Sequence, residues 1–252
     1  MCEHPGEQVI IKEDETLDDL TRNGLRVIQA RQGYRFSMDA VLLSEFAATQ
    51  PGEAVLDLGC GSGVVSFLIA ARQPSCSVTG LEIQEDLAER ARRGVALNGL
   101  GPRVQIINGD LRQAKVFLKS RKFDLVVVNP PFWRVGEGKP SSDQENLIAR
   151  HEVKATLEDY IDIARCHLNP KGRLVLVHRA SRLIEIGSLC LSQGMNPERV
   201  RMVHSCRWQE ANLVLLEAVK GSKAGMRVLP PLVVYDDHGN YTDEISRIYY
   251  GD

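Results

Sequence analysis

The chain has 252 residues, 43% hydrophobic and 25% charged, with a net charge of −2, the make-up of a soluble globular protein with room for one large α/β domain or two small ones. No apolar run approaches the roughly eighteen residues a membrane span needs, and residues 1–7 have neither the basic start nor the apolar stretch of a signal peptide. Six cysteines without a C-x-x-C pair predict free thiols in a reducing cytoplasm rather than a disulfide framework or a metal site, and the near-neutral charge says nothing for a nucleic-acid partner.

The first dozen residues read as a loose start. Asn23-Gly24, between short apolar runs within 20–30, signals a hairpin. Ser37 is placed to cap a helix over 38–48 with Met38, Leu42 and Phe46 on one face, and Pro51-Gly52 closes it. From there strands and helices alternate. Strands are expected at 54–58, 77–83, 104–107 and 123–128, with helices at 64–72, 84–97 and 111–119 between them. The run 123–128 is the most apolar and β-branched and reads as a central strand covered on both faces. Thr156 can cap the next helix, whose apolar stripe is Leu157, Tyr160, Ile161, Ala164 and Leu168. Asn169-Pro170-Lys171-Gly172 stops it before a fifth strand at 174–177, and a helix at 182–193 and strands at 200–204 and 212–218 follow. Alternation of this kind predicts an α/β fold, a mostly parallel sheet with helices on both faces, the last strand pair adding an antiparallel edge. The expected organisation is an N-terminal extension over 1–50 packed on a core over 51–220, then a tail over 221–252.

Ligands on such sheets sit at the carboxyl ends of the strands. The first core strand ends in Asp57-Leu58-Gly59-Cys60-Gly61-Ser62-Gly63, a D-x-G-x-G-x-G turn in which glycines allow a tight loop and bare backbone against a ligand. The dinucleotide fingerprint G-x-G-x-x-G fails here. Started at Gly59 it needs glycine where Val64 stands, and started at Gly61 where Ser66 stands. Glu82, ending the second core strand, can accept both ribose hydroxyls of an adenosine, which suits either cofactor class. Asp110 follows the third and is also placed to cap a helix.

Asn129-Pro130-Pro131-Phe132 follows the central strand directly. Two prolines there can simply end a strand. The alternative is chemical. An exocyclic amine conjugated to a ring is a poor nucleophile until its lone pair is drawn out of the ring. If the Asn129 side-chain oxygen and the Pro130 carbonyl each accept one N–H, that lone pair turns toward a methyl donor, with little reorganisation because the prolines hold the carbonyl rigid. Phe132 offers a stacking face, and Pro131 and Trp133 can wall the pocket.

The glycine loop resembles the cofactor-binding motif of class I methyltransferases, which are Rossmann-like. The resemblance implies S-adenosyl-L-methionine as cofactor, its amino-acid end on Gly59, Gly61 and Gly63. By the same likeness Asp57 orients the loop or the amino group, Glu82 holds the ribose, Asp110 meets the adenine amine, and Asn129 borders cofactor and substrate together. The Asn-Pro-Pro-Phe/Tyr loop is shared by enzymes that methylate adenine N6, cytosine N4, guanine N2 and the glutamine side chain, so it says planar amine or amide without choosing.

Three further stretches narrow the choice. They are 32–40 (Gln-Gly-Tyr-Arg-Phe-Ser-Met-Asp-Ala), 149–152 (Ala-Arg-His-Glu), and the tail segments Val234-Tyr235-Asp236 and 241–245. Together they resemble the bacterial tRNA (adenine-N6)-methyltransferases that modify the adenine beside the anticodon of a valine tRNA. The likeness implies a tRNA partner, with Tyr34 and Arg35 shaping the cofactor or base pocket; no membrane and no metal are expected from the hydropathy and cysteine pattern above. Packing of that segment over the sheet edge is the other reading. His151 and Glu152 either order a lid or start a helix. Arg134, Lys139, Arg199, Arg201 and Arg207 are candidate phosphate contacts, against the plainer reading of solvated surface charge. Glutamine methylation in a protein, a non-catalytic cofactor-binding domain and a nicotinamide-dependent oxidoreductase are the rival functions.

Overall fold

Residues 9–20, 24–32, 35–132 and 155–251 are described by the computed structural model. Strands β1 (Glu15–Asp19) and β2 (Arg26–Ala30) pair antiparallel, with Leu17 opposite Ile28. The expected hairpin is there, but its first strand lies upstream of 20–30. Polar Glu-Thr-Leu-Asp-Asp carries no apolar strand signal; ion pairs hold it instead. Buried Glu15 meets Arg93 at 2.5 Å and Arg90 at 3.4 Å, both on the helix α3 (Glu85–Leu97).

Helix α1 (Met38–Phe46) follows. Ser37 precedes it in extended conformation without capping it by side chain, because its hydroxyl donates to the Asp39 carboxylate at 2.7 Å instead.

The main sheet uses β3 (Ala54–Leu58), β4 (Ser77–Glu82), β5 (Val104–Asn108), β6 (Phe123–Val128), β7 (Leu168–Arg179), β8 (Met195–Cys206), β9 (Ala211–Lys220), β10 (Arg227–Val228) and β11 (Leu232–Tyr235). Its order is β10-β8-β9-β7-β6-β3-β4-β5, with β11 also on β8. From β7 to β5 every pairing is parallel, and β9 runs antiparallel to both β7 and β8. This is the expected Rossmann-like sheet. The antiparallel strand is interior, however, since β8 lies outside it and carries β10 and β11 in parallel. The tail supplies them because Leu232 and Val234 are apolar and gain burial against the sheet.

Strand β6 shows why this segment is central. Leu125 and Val127 enter one core, Val126 and Val128 the other, and all are almost fully buried. On the first face lie α1, α2 (Val64–Arg72), α3 and α7 (Asp243–Tyr250); on the second lie α4 (Ala114–Leu118), α5 (Leu157–His167) and α6 (Leu183–Ser192). Thr156 caps α5 in a full capping box with Asp159. The helix expected over 111–119 is a 3-10 turn, Leu111–Gln113, followed by short α4. Strand β7 begins at Leu168, earlier than expected, because Asn169 donates to Asp124 of β6 at 2.8 Å and Lys171 absorbs the irregularity with φ 65°.

Candidate methyl-transfer site

The carboxyl ends of β3, β4, β5 and β6 surround one pocket. Its floor is the turn after β3, where the Gly59 and Cys60 amides donate to the Leu81 carbonyl of β4 at 2.8 and 3.2 Å. Gly59 has φ +74°, and a Cβ there would stand 3.1 Å from the Tyr160 hydroxyl. Gly63, at φ +89°, opens α2, and a Cβ on it would overlap the Phe67 ring at 2.6 Å. Both positions therefore need glycine, for different reasons: Gly59 faces the pocket, whereas Gly63 leaves room for the Phe67 ring of α2 itself.

Two carboxylates are buried beside this turn. Glu82 accepts the Gly61 amide on one oxygen at 2.9 Å and the Gln84 amide on the other at 2.8 Å. Glu82 also lines the pocket, and a carboxylate in that position suits a vicinal diol. Asp57 is 1% exposed and accepts the Ser66 hydroxyl at 2.7 Å. Burial pushes its carboxyl up to about 7, with the Glu82 charge adding to the rise and the Ser66 hydrogen bond opposing it. A cation brought into the pocket would hold both carboxylates in their charged form. Ser62, in the same wall, has a buried hydroxyl with no partner among the described residues. An unsatisfied donor, buried carboxylates and bare glycine backbone fit a ligand with a cationic amino-acid end and a ribose.

Asp110 also lines the pocket and caps the turn that follows it, accepting the Arg112 amide at 2.9 Å. Its carboxylate is shared with the Arg112 guanidinium. Across the pocket, Asn129 leaves the end of β6 half-buried and Pro131 forms part of the wall, with Pro130 buried behind. The Phe132 ring lies 5.3 Å from the ring of His178, tilted by 39°. His178, fully buried at the end of β7, accepts the Arg179 amide on Nδ1 at 2.8 Å. Its Nε2 lies 3.3 Å from the Arg182 guanidinium. Burial first, then the Arg182 guanidinium, holds its pKa at about 3.

The family model described as the methyltransferase small domain matches residues 37–186. A tRNA1(Val) (adenine(37)-N6)-methyltransferase of Porphyromonas gingivalis is 30% identical over 222 residues, covering 85% of this chain and 86% of that protein. The chain belongs to the tRNA1(Val) (adenine(37)-N6)-methyltransferase family. A relative of the same name from Aeromonas hydrophila is 27% identical over 86% of the chain and 89% of its own length. Among solved structures, a predicted O-methyltransferase from Agrobacterium tumefaciens superposes with a TM-score of 0.69 at 26% identity, over 85% of this chain and 96% of that one. The T. thermophilus 16S rRNA N2 G1207 methyltransferase, solved with AdoMet and guanosine, shares the fold at a TM-score of 0.57 and 19% identity, over 82% of this chain and 50% of that one.

In this methyltransferase the fold brings Asp57, Gly59, Gly61, Glu82, Asp110, Asn129 and Pro131 to one pocket, drawn from loops after four strands. Gly63 and Pro130 stand behind its wall, and Phe132 turns to His178. Tyr34 and Trp133 lie outside the described residues, as do Arg134, Lys139, His151 and Glu152. Arg35 points to the hairpin, donating to Thr16 at 3.1 Å and pairing with Asp18, which favours packing of this segment over a role in the pocket; its neighbour Phe36 lines the pocket. Sequence reading missed Ser66, Tyr160 and His178. Tyr160 sat within an apolar helical stripe and read as core, although its hydroxyl abuts Gly59. Ser66 lies one turn into a buried helix, and nothing in sequence spacing ties His178 to the Asn-Pro-Pro-Phe loop. Among the described residues there is no group of three or more His, Cys, Asp or Glu side chains that could hold a metal ion, and no helix long and apolar enough to cross a membrane.

Proposed function

We propose that this methyltransferase methylates the exocyclic N6 amine of an adenine in tRNA, the one its relatives are named for, in the cytoplasm. The observation that carries the reading is the opening of Asn129, at the end of β6, onto the same pocket as the buried Asp57 and Glu82. Asp57, Ser62 and the Gly59–Gly61 backbone would hold the amino-acid end of S-adenosyl-L-methionine, Glu82 its ribose and Asp110 its adenine. Bound there, the cofactor supplies a methyl group made electrophilic by its sulfonium.

The chain's own residues do the rest by placement. The Asn129 oxygen and the Pro130 carbonyl accept the two N–H groups of the amine, which localises the lone pair on nitrogen. Phe132 supplies a face for the base. The methylated nitrogen is positively charged and acidic, so it releases a proton to solvent without a dedicated base.

Transfer of labelled methyl from S-adenosylmethionine to tRNA, followed by nucleoside analysis, tests this. N6-methyladenosine in valine tRNA is expected, with Asn129→Ala lowering kcat about a hundredfold, the usual effect of losing one preorganised polar group. Label in protein glutamine, or in cytidine or guanosine, would overturn the substrate while leaving the fold's chemistry in place.

A further inference from the structure

The arginines clustered around β8 in sequence have different fates in the fold. Arg199 lays its guanidinium 4.2 Å over the Phe46 ring and pairs with Glu217 at 2.9 Å. Arg201 makes two 2.8 Å bonds to Glu244 and a third, of 2.9 Å, to the Pro230 carbonyl. Both are committed inside the protein. Arg207 is not buried this way. It stands in the turn between β8 and β9, its guanidinium 4.9 Å over the indole of Trp208, a residue that is 82% exposed.

A bare aromatic ring held on a braced turn offers a ready face on which a base can stack. This turn is braced. The Gln209 amide donates to the Cys206 carbonyl at 3.1 Å, His204 Nδ1 bonds the Gln209 carbonyl at 2.7 Å, and Asn212 donates to the Ser205 hydroxyl at 3.2 Å. An indole with a guanidinium on one face is thereby held outward at a fixed place.

That place is set by topology. Strand β8 is antiparallel to β9, which is antiparallel to β7, so β8 points the same way as β6 and β7. The turn after β8 therefore lies on the same carboxyl edge of the sheet as Asn129. Three strand spacings separate β6 from β8, roughly 14 Å at about 4.8 Å each.

We propose that the Arg207–Trp208 turn is a contact for the RNA strand that flanks the target adenine, the indole stacking on an unpaired base and the guanidinium meeting a phosphate. The proposal rests on the tRNA reading above. Base stacking on an exposed aromatic is tolerant of sequence and suits a single-stranded loop. The surrounding surface is not a basic field: Asp236 and Asp237 line the same shallow depression as Arg207, and the whole chain carries a net charge of −2. Stacking plus one local charge, rather than long-range attraction, is the chemistry this turn supplies.

The test is steady-state methylation of a valine tRNA transcript by wild type, Trp208→Ala, Trp208→Phe and Arg207→Ala, with S-adenosylmethionine binding measured on each as a check on the fold. Trp208→Ala should raise the KM for tRNA about tenfold, the scale of one lost base–aromatic stack, and Trp208→Phe should restore most of it. Arg207→Ala should flatten the salt dependence of tRNA affinity by about one unit of log–log slope. Transfer to tRNA by wild type, with both alanine variants within twofold of its KM, would overturn the contact while sparing the substrate reading. Absence of any transfer to tRNA by wild type would overturn both.

Discussion

His178 shows how much a single side chain can do without touching substrate. It is buried, its Nδ1 accepts the Arg179 amide, its Nε2 lies 3.3 Å from the Arg182 guanidinium, and its ring lies 5.3 Å from that of Phe132. The aromatic face of the Asn-Pro-Pro-Phe loop thus rests beside one neutral imidazole. Replacing it with Phe keeps a ring for Phe132 and removes the ring-nitrogen contacts to the Arg179 amide and the Arg182 guanidinium. The expected result is a five- to tenfold drop in kcat for tRNA, about 1 kcal/mol, with S-adenosylmethionine affinity unchanged. With a pKa near 3 the ring stays neutral across the working range, so the rate profile should show no inflection from it between pH 5 and 8. An inflection near 6.5 that vanishes in the Phe variant would contradict the assignment. Nothing in the sequence announces this residue, because Phe132 lies forty-six positions upstream and meets it only through the β6–β7 pairing.

At the scale of elements, the N-terminal hairpin is fastened to α3 by charge rather than by apolar burial. Burial would raise the pKa of Glu15, but the hydrogen bonds and charge of Arg93 overcome it and hold the carboxyl at about 2. A carboxylate with a lowered folded pKa contributes stability above its unfolded value, near 4.5, and loses it as pH falls from there toward 2. Glu15→Gln should therefore cost on the order of 3 kcal/mol near neutrality, the scale of breaking a buried ion pair. The melting-temperature gap to wild type should close as pH drops below 4.5. A gap independent of pH would place the loss in packing instead. The same hairpin marks a limit of pattern reading. Strands 54–58 and 123–128 and the helix 64–72 were legible to the residue because apolar side chains declare them. Strand β1 was misplaced because its signal is an ion pair with a helix seventy-eight residues away.

The whole molecule is closed by its tail. Helix α7 is capped by Thr242 and sets Ile245 and Ile248 into the core that also holds α1 and α2, and Arg201 clamps its first turn through Glu244. Ile245 is fully buried. Ile245→Ala should destabilise the protein by about 3 kcal/mol in a denaturant melt, and a loss under 1 kcal/mol would mean the tail is only loosely applied. By itself the sequence determined the alternating α/β core, the glycine turn and the Asn-Pro-Pro-Phe loop, since apolar periodicity, glycine and proline act through local backbone physics. Its family likeness named the chemistry. The tertiary structure alone decided which residues meet: that Glu82 braces the glycine turn, that Arg35 serves the hairpin and Phe36 the pocket, that Arg199 and Arg201 are spent inside the protein, and that β9 lies within the sheet. Those are contacts between segments far apart in the chain, and their energies come from burial and pairing that no local window contains.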